Sequence, residues 1–249
     1  MRIVNHAYGN TVEVVFDTFK HQYTYNGQVI PGATTILGVL SKPALIFWAS
    51  NMASDYFKSQ IVPGVALDEV EIERIWQQAK KAHTQKKLDS ATLGSMVHKY
   101  VEQYIKGENP PMPVNPEMKG ACERFLQWVQ DHQVKFLVSE QMVFSKKHLY
   151  AGTTDFICKI DVILLIGDLK TSQSVYSEYF AQTSAYLEAR TEEFPTEKFD
   201  GAVIVRVGKE DGDFEAVSKT REELAPHFEL FLNCLAVYKS LKKLEVKNA

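Results

Sequence analysis

Five short patterns in this chain place side chains capable of chemistry at fixed spacings. Asp168 and Lys170 sit two residues apart in "GDLKTS", behind the aliphatic run "VILLI". Asp155 ends the pattern "GTTD", three residues after Gly152, and Glu140 lies one apolar segment earlier in "VSEQMVF". Upstream, His98 follows Gly94 by four residues in "GSMVH", and downstream Gln182 precedes Tyr186 by four in "QTSAY". Residues two apart on a strand share a face, so Asp168 and Lys170 point one way and Leu169 points into the core. That pair has an ordinary reading, charges emerging where a strand leaves the core, and a chemical one.

Asp155 favours the chemical reading. A tight turn near Lys159–Asp161 pairs the two strands antiparallel and brings Asp155 and Asp168 to the same sheet end. Two carboxylates so placed raise each other's proton affinity unless a cation lies between them. Oxygen-rich sites of this kind suit Mg²⁺ or Mn²⁺, which use one or two carboxylates and keep several waters. Glu140 is a candidate third acid. His98 and Gly94 share a helix face, and the glycine lets another backbone come close. A lone helical histidine is ordinarily structural or solvated, and Gln182 with Tyr186 is ordinarily a surface amide beside a half-buried ring.

These residues need elements to hold them. "VEVVFDTFKHQYTYNGQVIPG" reads as short strands with a hairpin at Asn26-Gly27. From Thr35 the pattern is helical, with Pro43 dividing two helices. "LDEVEIERIWQQAKKAHTQKK" predicts a further helix, acidic first and basic last, and "SATLGSMVHKYVEQYIKGE" another, capped at Ser90 and stopped at Gly107. "NPPMPVNPE" is a loop, and "EMKGACERFLQWVQDH" an amphipathic helix. Three strands follow, "KFLVSEQMVFS", "AGTTDFICKI" and "DVILLIGDLKT". A helix over 176–193, strands "DGAVIVRVG" and "DFEAVSKT", and a closing helix complete the chain. The layout predicts one domain over 1–249, with a mainly helical part at 1–135 and an α/β core at 136–249.

Bulk properties narrow the function classes. The 249 residues carry 28 Lys+Arg against 31 Asp+Glu, a net charge of -3. No global positive field recruits nucleic acid, so such a partner needs a local basic patch or metal ions. Three scattered cysteines, Cys122, Cys158 and Cys234, argue against a disulfide framework or a thiolate metal site. The start "MRIVNHAYGN" lacks a signal-peptide layout, and "VILLI" is too short to span a bilayer. The expectation is a soluble intracellular protein with no membrane partner.

Taken in order, Gly94-x-x-x-His98, Glu140, Gly152-x-x-Asp155, Asp168-Leu-Lys170 and Gln182-x-x-x-Tyr186 resemble the PD-(D/E)XK nucleases of the RecB-like exonuclease branch. The upstream segment "IPGATTILGVLSKPALIFWASNMA" is similar to that of the phage and mitochondrial genome maintenance members. The resemblance covers about Ile30 to Glu188. It implies a restriction-endonuclease-like core, a central mixed sheet flanked by helices, and a metal-dependent DNA exonuclease preferring single-stranded ends. Asp155 and Asp168 would bind one or two Mg²⁺ or Mn²⁺ ions, with His98 and the Leu169 carbonyl as further ligands. Lys170 would orient or deprotonate the attacking water and offset phosphate charge, and Glu140 would hold a water or second ion. Gln182 and Tyr186 would orient the lysine or touch the DNA backbone, and Thr171 and Ser172 would donate to phosphate. Trp48, Phe47 and Tyr56 are stacking candidates, although aromatics on an amphipathic helix are ordinarily core. Lys80, Lys81, Lys86 and Lys87 can track a DNA backbone, and the helix dipole explains them equally.

Thr154 stands where the family pattern has proline before the first aspartate. The cysteines that frame an iron–sulfur cluster in some relatives are missing, so no cluster is expected. No Walker A motif occurs, so no nucleotide cofactor is expected, and any ATPase would belong to a recombination or replication partner. The setting implied is the cytoplasm of a bacterial or phage-infected cell. Two alternatives stay open: a structure-specific endonuclease of the same superfamily, and a catalytically silent nucleic-acid-binding protein.

Overall fold

Val12, Val14 and Phe16 alternate with Glu13, Val15 and Asp17, the period of a strand with one inward face. In the computed structural model, which describes residues 1–208 and 213–247, this segment is β2 of a four-stranded antiparallel sheet. The strands are β1 (Arg2–Ala7), β2 (Val12–Asp17), β3 (Gln22–Tyr25) and β4 (Gln28–Ile30). Asn26 and Gly27 make the two-residue turn between β3 and β4 with φ of 49° and 74°. Both residues tolerate that left-handed backbone, and its twist matches the flanking strands. The expected hairpin is thus one part of a larger sheet. β1 is a mostly exposed edge strand without apolar alternation, so only its pairing with β2 defines it. Ala7, Val12, Val14 and Ile30 pack on Met142, Phe144 and Ala151.

Helices follow: α1 (Ala33–Leu37), α2 (Pro43–Gln60), α3 (Glu69–Ile105) and α4 (Pro116–Asp131). Pro43 opens α2, where a missing N–H costs nothing. The break expected at Ser90 does not occur, because α3 is one helix of 37 residues. Nothing between Leu88 and Gly94 breaks the backbone, and extending a helix costs less than nucleating a second one. Thr92 and Ser95 donate their hydroxyls back to the carbonyls of Leu88 and Ala91 at 2.9 Å each, so they join the helix instead of capping it. The helix stops at Gly107, φ 74°, where the N–H groups of Gly107 and Glu108 donate to the Tyr104 and Gln103 carbonyls. Asn115 caps α4 by accepting from the Met118 N–H at 3.1 Å.

The remaining elements are β5 (Lys135–Ser145), β6 (Tyr150–Ile160), β7 (Ile163–Lys170), α5 (Ser177–Glu193), β8 (Gly201–Val207), β9 (Phe214–Thr220) and α6 (Arg221–Lys247). The five strands form one mixed sheet in sequence order. All neighbours are antiparallel except β7 and β8, whose parallel pairing requires a crossover, supplied by α5. Ile157, Ile166 and Ile204 share a core with Ala185 and Leu187 of α5 and Phe231 of α6. Phe125 and Trp128 of α4 meet Phe136 and Phe156 of β5 and β6. The chain is therefore of the expected α/β class.

The contacts divide the chain into two units, Met1–Leu40 with Val97–Ala249, and Ser41–Met96. In the second, Trp48 meets His83 edge to face at 6.4 Å, the Tyr56 hydroxyl donates to Gln78, and Lys80 lies 3.8 Å over the Trp76 ring. Cys122, Cys158 and Cys234 are free and buried. Among the described residues no helix is long and apolar enough to cross a membrane.

Two histidines predict an acid sensitivity. Burial, then the charge of Lys147 and more weakly Lys239, outweighs Glu192 and Glu188 and pushes His148 below its usual range. Burial and Lys219 do the same to His227, against a hydrogen bond at Ser177. A depressed folded-state value means the unfolded chain binds the proton first, so stability falls as pH drops below the ordinary histidine value of about 6.5. The two histidines' contribution is expected to fade through that window, so on acidification the wild type should lose melting temperature relative to His148→Asn/His227→Asn, as followed by circular dichroism.

Candidate active site

β6 and β7 meet through a two-residue turn at Asp161 and Val162, with Ile160 paired to Ile163. Phe156 pairs with Gly167, so Asp155 and Asp168 are the next residues outward on the two strands. Ile157 and Ile166 face α5, and two residues further along their strands Asp155 and Asp168 emerge on that same side. Thr154 secures the junction: fully buried, it donates its hydroxyl to the Gly167 carbonyl at 2.8 Å. Proline at that position has no such donor.

One network links most of the candidate residues. Asp155 Oδ2 accepts the Leu169 N–H at 2.6 Å, and His98 Nδ1 lies 3.6 Å from the same oxygen. Lys170 Nζ stands 2.5 Å from Asp168 Oδ2 and donates to Gln182 Oε1 at 3.2 Å. Gln182 Nε2 in turn donates to the Tyr186 hydroxyl at 2.6 Å. Tyr186 is buried against Gly152, where an added Cβ would lie 2.3 Å from its ring. Gly-x-x-Asp and Gln-x-x-x-Tyr are thus two halves of one contact: the glycine makes room for the ring that steadies the glutamine.

Charge is concentrated here at low solvent access. Burial, then the neighbouring Asp168 charge, pushes Asp155 above the usual carboxylate range, against the pull of His98, Lys170 and the Leu169 N–H. For Lys170, burial pushes down, but Asp168 and Asp155 together outweigh it and hold the ammonium above its ordinary value. Glu140 is also pushed up, by crowding among protein atoms and then by Asp155 and Glu102. Its side chain nonetheless keeps substantial contact with solvent, and that contact limits the push. Its backbone has φ 51°, a left-handed residue inside β5 between the pairs Ser139–Phe156 and Gln141–Thr154.

Asp168 Oδ2 is buried and, beyond its ion-pair contact with Lys170, receives no well-aligned hydrogen bond. An under-satisfied carboxylate oxygen beside a second carboxylate is a donor set for a hard divalent cation. Among the described residues no three His, Cys, Asp or Glu side chains are gathered into a ready-made cluster. The residues fit a site of two carboxylates completed by water.

Thr171 and Ser172 lie half-buried in the loop after β7, where Ser172 donates to the Ser174 carbonyl at 2.8 Å. Leu169 buries its side chain and presents its backbone to Asp155. Trp48 belongs to the Ser41–Met96 unit. Three participants escaped the sequence reading. Tyr179 places its ring 4.9 Å from Lys170 Nζ, and its spacing of three residues before Gln182 on α5 is a signal that finds it. Thr154 shows only as a replacement for proline. Tyr23 reaches the site from β3, with its hydroxyl 3.2 Å from Thr153 Oγ1, and no local pattern announces that.

No protein-family model and no curated protein matches the chain. Among solved structures, the chain is similar to a presumptive exonuclease from Eubacterium rectale, with 12% identity and a TM-score of 0.38 over 56% of this chain. It spans 63% of that protein's length. It is also similar to an alkaline exonuclease from Laribacter hongkongensis, with 12% identity and a TM-score of 0.32 over 51% of this chain and 71% of that one. At such overlap the likeness carries no argument, and the chemistry rests on the geometry of this chain's own residues.

Proposed function

We propose that the chain is a metal-dependent DNA exonuclease of the PD-(D/E)XK kind, acting on strands with free, single-stranded ends. One observation supports this above the others: a buried and a half-buried carboxylate on adjacent strands share a face with a lysine bonded to a glutamine that a tyrosine steadies. Asp155 and Asp168 would hold Mg²⁺ or Mn²⁺, with His98 and the Leu169 carbonyl nearby and water completing the shell. Such an ion supplies Lewis acidity and a water acidified enough to attack phosphorus.

The chain's own residues do the rest. Lys170 presents a fixed positive charge where a phosphate gains negative charge, and Gln182 and Tyr186 set its position before substrate arrives. The Tyr179 ring shields one side of the ammonium from water and attracts it. Thr171 and Ser172 offer hydroxyl donors to the substrate backbone. Glu140, open to solvent, would hold a water or a second ion.

The test is release of acid-soluble nucleotides from end-labelled single- and double-stranded DNA with Mn²⁺. Release that EDTA abolishes, with closed circular DNA left intact, is the expected result. Cutting of the closed circle points to the endonuclease alternative, and DNA binding without any release points to a silent binding protein. A second readout is independent of turnover: Mn²⁺ is expected to raise the melting temperature of the wild type and leave Asp155→Asn/Asp168→Asn unchanged.

A further inference from the structure

Aromatic rings connect the tip of the N-terminal sheet to the strand of Asp155. The register of β2 and β3 pairs Phe16 with Tyr23, and their rings stack at 4.6 Å. His21 sets its ring edge-on to Phe16 at 5.2 Å. The Tyr23 hydroxyl reaches Thr153, two residues before Asp155. At the other end, the β2–β3 turn is held by its own side chains. Asp17 accepts the N–H groups of Phe19 and Lys20 at 3.0 Å each, and Thr18 donates its hydroxyl to the Met1 carbonyl at 2.9 Å. On that braced turn Phe19 is 92% exposed, and His21 and Lys20 are exposed beside it.

A single exposed phenylalanine is unremarkable. The placement of this one is not: it caps a braced turn next to a contiguous row of rings that ends at the candidate site. We propose that Phe19 and His21, backed by Phe16 and Tyr23, form a stacking surface for unpaired bases of the DNA strand entering the Asp155–Asp168–Lys170 site. The inference rests on the nuclease reading above and supplies its single-strand preference with a physical cause. Every base has a π-face and a paired base does not offer it, so rings in a row select unpaired strands without reading sequence. Lys20 adds a positive charge beside the strand's backbone.

The probe is a fluorescein-labelled oligothymidylate, compared with an abasic tract of equal length and charge, titrated with the full chain in EDTA. Wild type is expected to bind the oligothymidylate about fivefold or more tighter than the abasic tract, and Phe19→Ala/His21→Ala to lose most of that difference. A photoactivated 5-iodouracil in the oligonucleotide is expected to cross-link to Phe19 or His21 of the wild type, a result that needs no variant. Equal binding of both probes by the wild type, or cross-links confined to other segments, overturns the stacking surface. The Mn²⁺ assay of the wild type runs alongside. Hydrolysis with no base-dependent binding sinks this inference alone, and no hydrolysis with no binding sinks both.

Discussion

Lys170→Met is expected to lower metal-dependent DNA hydrolysis by about 100-fold or more, the loss typical when one pre-positioned charge or donor is removed from a developing anion. The same substitution is expected to destabilise the fold. Asp168 is 3% exposed and its Oδ2 is paired with the Lys170 ammonium without a further hydrogen bond, so removing the lysine strands a buried carboxylate. Breaking a buried ion pair from one side costs about 3 kcal/mol or more. Lys170→Met/Asp168→Asn removes both charges and should recover most of the melting temperature while staying inactive. Urea titrations of the three proteins beside the nuclease assay separate the two roles. A lysine variant that cleaves at the wild-type rate removes Lys170 from the chemistry, whatever its stability.

Gly152→Ala is the second large effect. The new methyl would sit 2.3 Å from a Tyr186 ring carbon, and Tyr186, at 2% exposure, cannot swing out to solvent without leaving the core. Overpacking of this kind costs about 1–3 kcal/mol. Displacing Tyr186 also moves the Gln182 amide that bonds it at 2.6 Å, and with it the Lys170 ammonium. Turnover is therefore expected to fall about tenfold or more, since small misplacements of a catalytic group are costly. Gly152→Ala/Tyr186→Leu makes room for the methyl and should regain stability without regaining turnover. Recovery of full activity by that double variant would show that the ring matters only as filler.

The local patterns were legible for physical reasons. "VILLIGDLK" carries an apolar run because the middle of β7 is buried on both faces, and α4 carries a helical stripe because it buries one face and side-chain periodicity records which. The short turn at Asp161 made Asp155 and Asp168 neighbours in advance, since an antiparallel hairpin leaves little freedom of register. The unbroken α3 was not legible. Ser90 has the chemistry of a cap, and only the unbroken run of α3 from Glu69 to Ile105 shows that no helix begins there. β1 was hidden for the opposite reason, a strand defined by its partner and not by its own alternation.

By itself the sequence determined which residues can carry charge and metal chemistry, the order in which they occur, and the strands and helix that present them. Tertiary structure alone decided that Tyr186 fills the space above Gly152, that Thr154 locks β6 to β7, that Tyr179 lies beside Lys170, and that Tyr23 reaches the site from β3. Periodicity is a property of neighbours along the chain. Contacts such as Tyr23 with Thr153 join residues 130 positions apart, and only packing and register bring them together.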